Sequence, residues 1–218
     1  MLDIKTLCLT TYERIPLLKQ TLDSLVASEL PSAISLYIYD DASGRGVDEL
    51  LQNFKARVPY RVDIKKRPRN MGCNANVMAA LRETVLITND EFIFNFDSDA
   101  VFRKDWYTEL CRIFRPLYKD KLGAISLFNA SRHAPSSDYN KELYVKPTIG
   151  GLATLIRSDI IKVVPDHDWD WKYCEVAQKR GLALLCTKRS YVDHVGWNNG
   201  VHAQPGAGGD RAVDFTST

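Results

Sequence analysis

FIFNFDSDAVF, residues 92 to 102, is the stretch on which the reading of this chain turns. Phe92, Ile93, Phe94 and Phe96 have the composition of a buried strand, and they run directly into Asp97 and Asp99. Two carboxylates that close repel each other, and each resists leaving water. A cation between them removes both difficulties. Mg²⁺ or Mn²⁺ is held in this way by one or two carboxylates while a ligand's phosphates complete the shell. The alternative is a turn in which Asp97 or Asp99 caps a helix beginning near Arg103.

The segments on either side decide what kind of sheet this strand belongs to. TLCLT (6–10) reads as a first buried strand. Ile15, Leu18, Leu22, Leu25 and Val26 then fall at helical spacing, with Pro16 tolerated in the first turn. ISLYIYD (34–40) is a second strand, and Val47, Leu50, Leu51 and Phe54 mark a second helix. A third strand is expected over 60–65, and NMGCNAN opens a helix running to about Val85. FIFNF is the fourth strand. Trp106, Leu110, Ile113, Phe114 and Leu117 mark a further helix, and GAISLF (123–128) a fifth strand. This alternation predicts one α/β domain with a mostly parallel central sheet and helices on both faces. Ligands of such sheets sit beyond the carboxyl ends of the strands. The polar clusters TTYER, DDAS and DSDA each follow a strand, so all three are predicted to share one sheet edge.

After Phe128 the pattern loosens. SRHAPSSDYNKELYVKP (131–147) reads as an irregular, mobile loop. GGLATLIRSDII is a tight turn followed by an apolar segment, and WDWKYCEVAQKRG a helix ending at Gly181. LALLCT is a late strand, and the glycine-rich tail from Asn198 is expected to be flexible.

Composition limits the function classes. With 218 residues, 45% hydrophobic and 26% charged, the chain is neither disordered nor fibrous. A net charge of +2 gives no reason to expect nucleic acid as a partner. The basic run RVDIKKRPRN (61–70) is a solvated strand end or a local site for an anion. The cysteines at 8, 73, 111, 174 and 186 are odd in number and widely spaced, which fits reduced thiols rather than a disulfide framework. The start MLDIKTLCLTTYE shows no signal-peptide pattern, and no apolar run is long enough to span a bilayer.

Each remaining cluster has a chemical and a purely structural reading. Asp41 in DDAS accepts from a base or ribose hydroxyls, or else closes an Asx turn. Asp170 in WDWKYCE is a carboxylate at a helix start walled by Trp169 and Trp171, or an N-cap beside two packed rings. His194 in SYVDHVGW is a third metal ligand or an ordinary histidine. Histidines 133, 167 and 202 lie in loops and carry weaker signals still.

In their order and spacing, these pieces resemble the GT-A fold glycosyltransferases, and among them the family 2 group, from about Lys5 to about His202. The matching stretches are LTTYERIPLLKQTLDSL, DDAS, NMGCNAN, DSD, GGLATLIRS, Asp170 ahead of Gly181, and the late His194. The resemblance implies a single GT-A domain over 1–200. A nucleotide-sugar half would lie at about 1–100, an acceptor half at about 101–200, and a flexible tail at 201–218. It implies that Thr10, Tyr12, Asp41, Arg69 (or Arg67), Asn70, Asp97 and Ser98 bind the nucleotide-sugar. Asp99 would ligate Mn²⁺ or Mg²⁺ with help from His194. Asp97 would act through the ribose or a water, and Asp170 would be the catalytic base of an inverting transfer. Gly150, Gly151, Trp169 and Trp171 would line the acceptor side. The implied partners are a nucleotide-diphosphate sugar and a glycan, lipid-linked or protein acceptor. The implied location is cytoplasmic, peripheral at a membrane where the acceptor is lipid-linked. The chain departs from the family where the usual acidic pair reads Trp169-Asp170, and the segment around Asn74 is short.

Other classes fit less well. NFDSDAV resembles the opening motif of haloacid-dehalogenase-like phosphotransferases, with Asp97 as nucleophile. That motif opens its domain, whereas here three strands precede it. Sugar nucleotidyltransferases need a glycine-rich loop after the first strand, and LTTYERI has none. A non-catalytic nucleotide-sugar or carbohydrate-binding module has no use for a carboxylate at Asp170.

Overall fold

The computed structural model describes residues 4–130, 133–197 and 211–215. The first half alternates strand and helix: β1 (Thr6–Thr11), α1 (Ile15–Ala27), β2 (Ser35–Asp40), α2 (Arg45–Lys55), β3 (Arg61–Lys66), α3 (Cys73–Thr88) and β4 (Phe92–Asp97). There follow β5 (Ala100–Phe102), α4 (Trp106–Phe114), β6 (Leu122–Ser126), β7 (Ser137–Asp138), β8 (Leu143–Val145) and β9 (Ala153–Arg157). The described elements end with α5 (Ser158–Ile161), α6 (Trp169–Lys179), β10 (Ala183–Thr187) and β11 (Val192–His194).

The main sheet runs in the order β3-β2-β1-β4-β9-β6-β10-β8-β7. β3, β2, β1 and β4 are mutually parallel, while β9 lies antiparallel between β4 and β6. Chain order reverses between β1 and β4, because β2 and β3 lie to one side of β1 and β4 to the other. Such a reversal opens a crevice at the carboxyl ends of the two strands, where ligands of open α/β sheets bind.

Two cores enclose the sheet. On one face Leu18, Leu22 and Leu25 of α1, Val47, Leu51 and Phe54 of α2, and Trp106 and Leu110 of α4 pack together. On the other, Val77, Met78 and Leu81 of α3 pack with Ile160 of α5 and Tyr173 of α6. β4 shows why both faces need cover. Phe92, Phe94 and Phe96 enter the first core and Ile93 the second, as the two-residue period of a strand requires. Trp106 fixes the first face, its ring centroid 4.8 Å from those of Phe94 and Phe102. Each such large apolar side chain contributes about 1.5–3 kcal/mol by leaving water.

Three expectations change. No helix starts at Arg103: residues 100–102 form β5, which pairs antiparallel with β11 in a separate ribbon, and α4 begins at Trp106. The 131–147 stretch is not wholly irregular, since β7 and β8 form a hairpin that joins the sheet edge through Leu185↔Val145. Its strands are too short to show a period in the sequence, although Leu143 is buried and Lys146 reaches Asn129 Oδ1 at 2.7 Å. Residues 131–132 lie outside the described residues. Of the tail expected to be flexible, 198–210 and 216–218 also lie outside them. Residues 211–215 pack against the fold, with Ala212 bridging Ala130 and Asp214 accepting the Ser190 N–H. Among the described residues no helix is long and apolar enough to cross a membrane.

Candidate active site

Strand register assembles the site's floor. Thr11 lies beside Asp40, Asp40 beside Lys66, and Thr10 beside Asp97, so four parallel strands deliver polar residues to one edge. Thr10 is buried there, whereas Tyr12, just beyond β1, is exposed. Within DDAS the two aspartates have different tasks. Asp40 is fully buried and is held by the Ser43 N–H and hydroxyl. Burial nevertheless raises its pKa. Asp41, also buried, accepts the backbone N–H groups of Met71 and Gly72, at 2.8 and 2.9 Å. It therefore shapes the loop leading into α3, and Asn70 helps by accepting the Gly72 N–H at 2.8 Å. Gly72, at φ 84°, makes the turn that allows this.

Asp97 and Asp99 diverge as strongly as their spacing suggests. Asp99 is 5% exposed, and its Oδ2 receives Arg14 Nη2 at 2.6 Å and lies 3.3 Å from His194 Nε2. Burial alone would raise its pKa; the hydrogen bond and charge of His194, and then Arg14, outweigh burial and lower it. Asp97 feels the same two cations more weakly. Burial, followed by repulsion from Asp99, pushes it up to about 8. His194 arrives through the β5–β11 ribbon, in register with Ala100, and the Val195 N–H donates to the Asp99 carbonyl. Ser98 is buried between the two aspartates. Gly196 covers the cluster closely: a Cβ there would lie 2.1 Å from both Asp99 Oδ2 and Arg14 Nη2.

Cys73 shows how the clusters meet. Desolvation and then the Asp97, Asp170, Asp99 and Asp41 carboxylates, in that order, push its thiol up to about 12. Four aspartates from three segments thus surround the N-terminus of α3. The basic run divides. Arg69 is exposed, whereas Arg67 is buried, donating to Asn76 Oδ1 and Glu83 Oε1 and lying 5.0 Å over the Tyr39 ring. Arg67 Nη2 is buried with no hydrogen-bond partner among the described residues.

Across the crevice stands the first turn of α6. Burial raises the Asp170 pKa, opposed by the Trp171 N–H, which donates to Oδ1 at 2.9 Å, and by His133. The two tryptophans separate. Trp169 is buried, and its ring occupies the space a Cβ on Gly151 would need, 2.3 Å from Cζ2. It is a core residue, so of the two rings only Trp171, 45% exposed, is available at the rim. Gly150 lies beside His133, which bonds Thr148 Oγ1 through Nδ1 at 2.9 Å and sits 5.9 Å, centroid to centroid, from Trp171. In the sequence His133 carries only a weak signal and nothing marks Arg14 as a site residue. Arg14 stands in TTYER, but its partner is 85 residues away and no local pattern points to it.

The glycosyl transferase family 2 model matches residues 6–128. Among solved structures, the chain is similar to S. aureus TarS, with a TM-score of 0.66 and 12% identity over 87% of this chain and 36% of that one. It is also similar to TarS 1-349 in complex with UDP-GlcNAc, with a TM-score of 0.66 and 14% identity over 87% of this chain and 57% of that one. The mannosyltransferase PcManGT from Pyrobaculum calidifontis, in complex with GDP-Man and Mn²⁺, aligns with a TM-score of 0.63 and 16% identity, covering 88% of this chain and 62% of that one. At such identities the likeness concerns the fold, and the chain spans less than two thirds of these proteins' lengths. No curated protein sequence matches it. The family model covers more than half of the chain and takes in β1 to β6, including the strands that build the crevice, so this chain belongs to glycosyl transferase family 2.

Proposed function

We propose that this domain transfers a sugar from a nucleotide-diphosphate donor to an acceptor hydroxyl, with inversion at the anomeric carbon. The observation that carries the reading is the convergence of Asp41, Asp97, Asp99 and Asp170 around the start of α3, at the crevice between β1 and β4. The aspartates lie in different settings, which suits different roles. Asp170 has a raised pKa and faces the crevice from α6, as a proton acceptor for the incoming hydroxyl should. A positioned base of this kind contributes roughly 10²–10⁴-fold. A single base opposite the leaving group favours direct displacement and hence inversion. Trp171 offers an exposed aromatic face for the acceptor.

The residues fit a divalent cation. Among the described residues no three His, Cys, Asp or Glu side chains form a cage. Asp99 and His194 meet at one oxygen, however, and burial and the Asp99 carboxylate push the neighbouring Asp97 up to about 8, a penalty on its ionised form that a bound cation would offset. Mg²⁺ and Mn²⁺ are held in this manner, by few protein ligands plus phosphate oxygens. Asp99 and His194 would hold the ion, and Asp97 would act through the ribose or a water. When bound, such an ion supplies Lewis-acid stabilisation of the departing diphosphate. PcManGT was solved with GDP-Man and Mn²⁺ and TarS with UDP-GlcNAc, which supports a nucleotide-sugar donor here. The proposed nucleotide contacts are Thr10, Tyr12, Asn70, Ser98 and the loop shaped by Asp41. A cytoplasmic setting suits these reduced cysteines and this donor.

The test is a thermal-shift panel of nucleotide-sugars with and without Mn²⁺, followed by transfer assays of Asp170→Asn with the donor found. One donor should stabilise the protein only with metal, and Asp170→Asn should bind it normally while losing transfer. No response to any nucleotide-sugar refutes the donor class, and near-normal transfer by the variant refutes the base.

A further inference from the structure

Asp99 Oδ2 already holds two donors, Arg14 Nη2 at 2.6 Å and His194 Nε2 at 3.3 Å. The Gly196 backbone closes a further side so tightly that not even a methyl group fits. An ion approaching that oxygen must take a place now filled by a guanidinium. Resting on the reading that Asp99 ligates a divalent cation, we propose that Arg14 competes with the cation for this oxygen and, once displaced, pairs with the donor's diphosphate.

The local backbone supports such a role. Glu13 and Arg14 are both left-handed, with φ of 48° and 54°, a conformation that side chains other than glycine rarely adopt. The strain is held in place by Glu13, whose N–H donates to Ser43 Oγ and whose Oε1 accepts the Gly44 N–H, each at 2.7 Å. Its consequence is that Arg14 caps α1 with its carbonyl, accepting from Leu17 and Leu18, while its side chain crosses to β4's end. That side chain is one-third exposed, so it is not sealed against Asp99. Its Nε is buried with no hydrogen-bond partner among the described residues. A guanidinium with an unused donor beside a cation site is suited to phosphate oxygens, which accept its N–H groups in pairs. In this arrangement the positive charge near Asp99 does not disappear when metal arrives. It moves to the leaving group.

The experiment titrates Mn²⁺ against the metal-depleted protein, following free Mn²⁺ by electron paramagnetic resonance, for wild type, Arg14→Gln and Arg14→Lys. The titrations are repeated with inorganic pyrophosphate, corrected for the Mn²⁺–pyrophosphate complex. Arg14→Gln should bind Mn²⁺ alone several-fold more tightly than wild type. Its Mn²⁺-loaded form should bind pyrophosphate about tenfold more weakly, the loss expected for a charge-assisted bond. Arg14→Lys keeps the charge but loses the fork, so it retains competition while weakening pyrophosphate binding, and it carries the test if Arg14→Gln fails to fold. Equal or weaker Mn²⁺ binding by Arg14→Gln, or unchanged pyrophosphate affinity in both variants, overturns the proposal. If wild type binds no Mn²⁺ even with pyrophosphate, the cation reading of Asp99 itself is refuted.

Discussion

Asp97→Asn should change how stability depends on pH, in a direction set by the site's charge balance. Burial and the Asp99 carboxylate push Asp97 up to about 8, against 3.8 for an unperturbed carboxyl. Between those values the folded protein keeps a proton that the unfolded chain releases. The associated stability is therefore complete below the unfolded value and is lost as pH rises towards 8. The slope from one such group is at most about 1.4 kcal/mol per pH unit. For a chain of this size that amounts to roughly 3–6 °C of melting temperature per pH unit at the ceiling. Asp97 retains some solvent contact, so the measured slope should fall below that limit. Asp99, whose pKa is lowered, and Asp170, whose pKa is raised, also titrate, so the informative quantity is wild type minus variant. Thermal melts at half-unit intervals from pH 4.5 to 8.5, with a chelator present, should show wild type falling relative to Asp97→Asn across the range. Added Mn²⁺ should reduce the difference, because a cation favours the ionised form. Parallel curves in chelator would show that Asp97 is not held protonated by its surroundings, and the account of the DSD pair would fail with it.

Two further outcomes follow from single contacts. Gly151→Ala puts a methyl group 2.3 Å from Trp169 Cζ2, so the buried ring must move and stability should drop by about 1–3 kcal/mol, read by denaturant unfolding; an unchanged midpoint would mean the ring has room. Burial of the Cys73 thiol and then the aspartates around it push it up to about 12, so alkylation by iodoacetamide at pH 8 should run more than about tenfold slower than for a peptide cysteine, monitored by mass spectrometry. A peptide-like rate would mean that the thiol is neither desolvated nor crowded by the neighbouring aspartates.

Much of the fold is legible because it rests on local periodicity. The apolar spacing of α1, α2 and α4 and the alternation in β4 are short-range facts, and burial enforces them directly. The same holds for the shared edge of TTYER, DDAS and DSDA, since parallel strands bring their carboxyl ends together. The β7–β8 hairpin was not legible, because strands of two and three residues are shorter than a recognisable pattern and are stabilised by the edge they join.

The division is sharper within the site. The amino-acid sequence determined which residues stand at strand ends and helix starts, and so which carboxylates face the crevice. Tertiary structure decided how they are used. It turned Asp41 towards the Met71 and Gly72 amides, buried Arg67 while leaving Arg69 in solvent, placed Trp169 in the core, and set His133 beside Trp171. It also joined Arg14 to Asp99, 85 residues apart, where β1 and β4 lie side by side. The reason is physical. A strand or helix is specified by neighbours within a turn or two, whereas the charge state of a carboxylate depends on whatever the fold brings within a few ångströms of it.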